Sequence, residues 1–126
     1  MLLVKTKIGP SKIAGIGLFA DQFIPKGTPV WKFAPRLDLE ITEEEVGKMS
    51  EVARAQILNY SYKSMETENY VLCFDDARFF NHADEPNCIS SEKDGVPDIA
   101  ARDIQPGEEL TNDYRVFDSD FKAKIK

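Results

Sequence analysis

The sequence predicts a single, mostly β domain with one main helix. Three observations carry that prediction. A chain of 126 residues holds one hydrophobic core. Short runs rich in β-branched and aromatic residues recur between turns that contain Gly or Pro, the pattern of small strands. Only one stretch, residues 42–64, sustains a helical period.

The elements follow in order. LLVKTKIG alternates apolar and polar residues and reads as a strand. GPSKIAGIG is dense in turn formers and reads as a loop. IGLFA and PVWKF read as strands on either side of the turn IPKG. Thr42 with Glu45 three residues on makes a capping box, and Glu43 to Glu45 suit the positive end of a helix dipole. Val46, Met49, Ala53, Ile57 and Tyr60 then give one apolar helix face, weakened early by Gly47. YVLCF returns to strand composition, SSEKDGVPD is a polar connection, and IAARDI and EELTND are strands around the turn QPG. Ala20, Ile24, Gly27 and Val30 recur, at the same spacing, as Ala100, Ile104, Gly107 and Leu110. Two copies do not make a solenoid, and reuse of turn chemistry at two corners accounts for the echo.

Composition narrows the function classes. Sixteen Lys and Arg against 22 Asp and Glu leave a net charge of −6, which argues against binding nucleic acid through its phosphates and suits a basic partner such as a lysine-rich peptide. No window has the roughly 20 apolar residues of a membrane span, and the first residues lack a cleavable leader pattern. Cys73, Cys88 and a single His cannot build a four-ligand zinc site. The expectation is a cytoplasmic protein with free thiols and no metal.

Three stretches hold the candidate chemistry. AGIGLFA (14–20) exposes backbone without Cβ bulk, so a ligand could approach main-chain N–H and C=O groups, although a plain turn would look the same. RFFNHADEPNC (78–88) holds the only histidine, beside Asn81. Asn and neutral His each donate and accept, which suits a nucleotide base or an amino acid head group, and a structural His is the alternative. PGEELTNDY (106–114) ends a strand on Tyr114, which alone would read as packing.

Taken together and in this order, these stretches resemble the SET-domain lysine methyltransferases. GIGLFA, RFFNHADEPNC and GEELTNDY match that family's Gly turn, its R-F-x-N-H-x-x-x-P-N-C run and its G-E-E-L-T-x-D-Y run, and FIPKG matches its I-P-K-G corner. The similarity covers about residues 3–116 and implies a β-clip-like fold of small curved sheets with a C-terminal pseudoknot. One domain would span 1–126, with a variable insert at about 38–66 and a short tail at about 115–126.

The resemblance implies S-adenosylmethionine as methyl donor and a lysine-containing protein or peptide as acceptor. Asn81 would contact the amino acid part of the cofactor. The His82 main chain would meet the adenine edge while its ring braces the pseudoknot, and Ala14, Gly15, Ile16 and Gly17 would offer main-chain contacts. Tyr114 matches the catalytic Tyr. Asn112, Tyr60, Tyr62 and Phe117 are candidates for the substrate channel, with Tyr70 beside them.

Two departures stand out. Asn112 replaces the usual Tyr or Phe, which leaves the number of methyl groups added open. The tail RVFDSDFKAKIK lacks the Cys-rich zinc segment that closes the channel in many members, so Phe117 or Phe121, or a second copy of the chain, would have to complete the wall. Monomer and homodimer are both compatible with this. The rival reading is a weakly active or inactive cofactor- or peptide-binding module of the same fold.

Overall fold

The computed structural model describes residues 1–125. Ten short strands form four small sheets. β1 (Thr6–Pro10) and β2 (Ile16–Ala20) make an antiparallel hairpin. β3 (Pro29–Trp31), β9 (Asp98–Ala100) and β8 (Cys88–Ile89) make a second sheet, with β9 central. β4 (Leu39–Ile41), β6 (Tyr70–Leu72) and β5 (Tyr62–Lys63) make a third. β7 (Asn81–His82) and β10 (Thr111–Asn112) pair in parallel, with Thr111 opposite Asn81 and Asn112 opposite His82.

The expected helix over 42–64 is two helices, α1 (Glu43–Gly47) and α2 (Glu51–Tyr60). The capping box forms, with Thr42 Oγ1 accepting from the Glu45 N–H at 3.1 Å and Glu45 Oε1 accepting from the Thr42 N–H at 3.1 Å. The break has a local cause. Gly47 ends the first helix, and Ser50, in an extended conformation, starts the second by accepting from the Ala53 N–H at 3.2 Å. Of the proposed apolar face only Val46 is buried; Met49, Ala53, Ile57 and Tyr60 are half-buried, and residues 62 and 63 leave the helix for β5. Period alone does not register a serine cap inside the repeat.

The echo is more than shared turn chemistry. Ile24 and Ile104 exchange both backbone hydrogen bonds, at 2.9 and 2.8 Å. Gly27 N–H donates to Ala100 O and Gly107 N–H to Ala20 O, both at 2.8 Å; Ala100 N–H donates to Thr28 O and Ala20 N–H to Glu108 O, both at 2.9 Å. The two copies therefore pair with each other about a pseudo-two-fold axis. Ala20, Ile24, Val30, Ala100, Ile104 and Leu110 are all fully or almost fully buried, so the repeat is the core itself. Gly27 and Gly107 sit at φ of +84° and +89°, where a side chain would be strained.

The threading that brings the two ends of the chain together depends on Asn87. Its Oδ1 accepts from the Thr111 N–H at 2.9 Å, its Nδ2 donates to Glu109 O at 2.8 Å, and its own N–H donates to Thr111 Oγ1 at 3.1 Å. It is buried, and its full pairing makes it a rigid tie between 87 and 109–111. Beyond β10, α3 (Tyr114–Phe117) and α4 (Phe121–Lys124) fold the tail back onto the insert. The buried Asp118 carboxylate accepts from Lys63 N–H at 3.0 Å and from the Lys124 ammonium at 2.6 Å. Ser119 N–H donates to Lys63 O at 2.9 Å. These bonds hold the tail against the insert.

Candidate functional site

Two cavities share the wall made by β7, β10 and their flanks. The polar one, of about 410 Å³, is lined by Ala14, Asn81, His82 and Tyr114, among others. The aromatic one, of about 170 Å³, is lined by Trp31, Tyr62, Phe80 and Phe117 with Asp98 and Asn112. The Tyr114 hydroxyl donates to the Phe80 carbonyl at 2.5 Å, so one hydrogen bond links a residue of each cavity.

On the polar side, Asn81 holds the loop between β1 and β2. Its Nδ2 lies 3.1 Å from Ala14 O, 3.1 Å from Ser11 Oγ, 3.4 Å from Ile16 O and 2.9 Å from Glu109 Oε2. Ser11 Oγ donates to the same carboxylate and accepts from the Ile13 N–H at 2.9 Å. Gly15 has φ of +47°, which favours glycine. Gly17 is close-packed for a different reason: a Cβ there would lie 2.5 Å from Glu109 Oε2, so the carboxylate that Ser11 and Asn81 hold would have to shift. Of the four loop residues expected to face a ligand, only Ala14 lines the cavity; Gly15, Ile16 and Gly17 shape the approach to it.

His82 is braced at both ring nitrogens. Nδ1 accepts from the Tyr114 N–H at 3.2 Å, so Nε2 carries the proton and donates to Asp84 Oδ1 at 3.0 Å. The ring therefore ties β7 to Tyr114, two residues beyond β10. Asp113, which caps α3, is held below the usual carboxylate range by the guanidinium of Arg115, forked onto it at 2.7 and 2.8 Å.

Tyr114 packs edge-on to Phe117 with ring centres 5.9 Å apart, and its ring is tilted against His82 at 5.4 Å. Burial pushes its hydroxyl up to about 12, so it remains a donor at neutral pH. Phe117 also meets Tyr62 edge-on at 5.3 Å, and Tyr62 meets Trp31 at 6.2 Å. Tyr62, Phe117 and Asn112 thus come together in the aromatic cavity. Tyr60 and Tyr70 do not line either cavity. Tyr60 packs on Phe79 and under Arg78, and Tyr70 lies under Lys63.

Asn112 is 2% exposed, and its Nδ2 donates to Asp98 Oδ2 at 3.2 Å. Burial pushes the Asp98 carboxyl up to about 6, against the opposing pull of the hydrogen bond it accepts from the Asn112 amide. Both cysteines carry free, buried thiols; burial raises that of Cys73, and that of Cys88 to about 12, so neither is a thiolate at neutral pH.

Sequence reading missed five participants. Glu109 and Ser11 fix the glycine loop, Asp98 pairs with Asn112, and Lys124 and Ile125 of the tail line the polar cavity. Only Glu109 carried a signal, since it lies inside the GEELT run.

Comparison with known proteins agrees with this architecture. The family model described as the SET domain matches residues 15–115. Human histone-lysine N-methyltransferase 2D is 28% identical over 120 residues, covering 91% of this chain and 2% of that protein. The H3 lysine-4 specific histone-lysine N-methyltransferase of Schizosaccharomyces pombe is 30% identical over 128 residues, covering 85% of this chain and 12% of that protein. The chain therefore spans only a small part of the length of these relatives. Polycomb Repressive Complex 2 of Chaetomium thermophilum superposes with a TM-score of 0.70 at 23% identity, over 97% of this chain and 17% of that one. With the pseudo-symmetric core, the parallel β7–β10 thread and a family match over most of its length, the chain belongs to the SET-domain family.

Proposed function

We propose that this protein is an S-adenosylmethionine-dependent protein-lysine N-methyltransferase. One observation carries the reading: a hydrogen bond joins Tyr114, which lines the polar cavity, to Phe80, which lines the aromatic one. A transferase that moves one carbon between two large substrates needs two entrances and one narrow meeting point.

The polar cavity fits the cofactor. Its polar lining mixes the Asn81 amide, main-chain groups and the Asp84 carboxylate, which matches a ligand with an amino acid end and a nucleoside end. Asn81 and the main chain near Ala14 would hold the amino acid end. The His82 main chain would meet the adenine, with Ile13 and Ile125 as apolar flanks. When bound, the cofactor supplies a methyl carbon already activated by its sulfonium.

The remaining work falls to the chain. The aromatic cavity removes water from the acceptor amine, whose ordinary value is about 10.4, and burial disfavours its ammonium form. Aromatic faces of Tyr62 and Phe117 accept the cation on entry. The Tyr114 hydroxyl oxygen and the Phe80 carbonyl offer lone pairs for weak C–H···O contacts, each worth about 0.5–1 kcal/mol. A net charge of −6 favours a basic protein substrate, in keeping with the histone-lysine activity that the relatives' names print.

The test is incubation with methyl-labelled S-adenosylmethionine and a lysine peptide array that includes histone tails. Label on lysine, lost in Tyr114→Phe, is the expected result. Wild-type protein that binds the cofactor yet labels no lysine in array or lysate would refute the assignment and favour a binding module of the same fold.

A further inference from the structure

The base of the aromatic cavity is polar in a way that an apolar lysine channel does not require. Asn112 Oδ1 and Trp31 Nε1, with Ser90 Oγ outside the cavity lining, are buried and have no hydrogen-bond partner among the described residues. Each such orphan costs about 1–3 kcal/mol, so the two in the lining are groups waiting for a ligand or a water. The Asp98 carboxylate, 9% exposed, sits beside them and receives the amide of Asn112. Glu40, Glu92, Asp94 and Asp98 line the cavity against a single Lys93, so its field attracts a cation.

The chemistry of the guest follows by matching. A neutral aliphatic group would leave the Asn112 oxygen without a donor and the carboxylate without a counter-charge. An anion would face four carboxylates. A primary ammonium brings three N–H donors and a positive charge to a carboxylate, an amide oxygen and several aromatic faces at once. We propose that Asp98 and Asn112 form the receptor for the acceptor's side-chain ammonium, Asp98 and the Asn112 Oδ1 each accepting one N–H, and that this pair rather than the apolar wall makes the cavity select a cation.

The proposal rests on reading the aromatic cavity as the acceptor's entrance. It also supplies the uncharged amine. Within the pair, one N–H bond of the ammonium breaks and an O–H bond forms on Asp98. The nitrogen keeps the electron pair, and two buried charges become two neutral groups. The burial that pushes the Asp98 carboxyl up to about 6 makes it a better proton acceptor than an exposed aspartate.

The test uses n-butylammonium, a lysine side chain without its backbone, with n-butanol as the neutral control. Binding is read from the carboxyl carbon of Asp98 and the side-chain amide of Asn112 by NMR. Butylammonium should shift both signals in the wild type, and butanol neither. Asp98→Asn and Asn112→Leu should each weaken butylammonium by about tenfold, as loss of a hydrogen bond to a charged group implies. Thermal melts establish that each variant is folded, and the two variants are read separately. An absent wild-type shift, or Asp98→Asn binding the cation as tightly as the wild type, overturns the proposal. Cation binding in a protein that ignores S-adenosylmethionine would keep it and sink the methyltransferase reading. Lysine methylation undiminished in Asp98→Asn would do the reverse.

Discussion

Asp98→Asn should stabilise the fold near neutral pH, and the structure sets the size. The Asp98 carboxyl is almost wholly buried and is pushed up to about 6. In the unfolded chain it returns to about 3.9. Between those values the native state holds a proton that the unfolded state has released. Stability therefore falls as pH rises from about 4 to about 6, and is level above. Two pH units correspond to about 3 kcal/mol lost by pH 7. An amide of the same shape carries no such charge and can still accept from Asn112 Nδ2. The variant should exceed the wild type by up to about 3 kcal/mol at pH 7, or roughly 10 °C in melting temperature. The gap should close towards pH 4. Urea unfolding of both proteins at pH 4 and pH 7 measures it. A variant less stable at pH 7, or a gap that does not change with pH, would refute the claim that Asp98 is retained at a cost to stability.

Other consequences follow from the site. Tyr114→Phe leaves the buried Phe80 carbonyl without its donor, so turnover should fall at least tenfold and stability by about 1–3 kcal/mol, with cofactor affinity little changed; equal turnover in steady-state assays contradicts its role. Gly17→Ala pushes a methyl into Glu109, which should displace the loop and weaken cofactor binding by about tenfold or more, whereas unchanged affinity by calorimetry would show that the loop adapts. Turnover on a lysine peptide should rise from neutral to alkaline pH as the ammonium form empties, and a flat profile would contradict rate control by amine deprotonation.

The fold was legible where a local rule had no competitor. The capping box forms with both of its bonds, and IGLFA is a strand, as expected beside the turn IPKG. The helix was overextended because Ser50 caps from inside the repeat, and apolar period does not weigh a hydroxyl against the next N–H. Strands of two residues, such as Asn81–His82, are invisible to periodicity and exist because Asn87 and the distant Thr111 hold the threads together. Family motifs placed Asn81, His82 and Tyr114 along one cavity, which no period could have done. Asp98 gave no signal, since a carboxylate at the head of a strand reads as solvated until its partner, Asn112, is known. Lys124 reaches its cavity only because the buried Asp118 folds the tail back.

The measurement that reaches the centre of the matter is calorimetric titration of the pure protein with S-adenosylmethionine, repeated with Asn81→Ala. Asn81 both lines the polar cavity and ties its loop to Glu109, so its loss removes a contact and loosens the cradle. One-site binding to the wild type, weakened by about a hundredfold or more in the variant, is the expected result. Wild-type binding that the variant keeps intact would place the cofactor elsewhere, and no binding to the wild type in the presence or absence of a lysine peptide would contradict the methyltransferase reading.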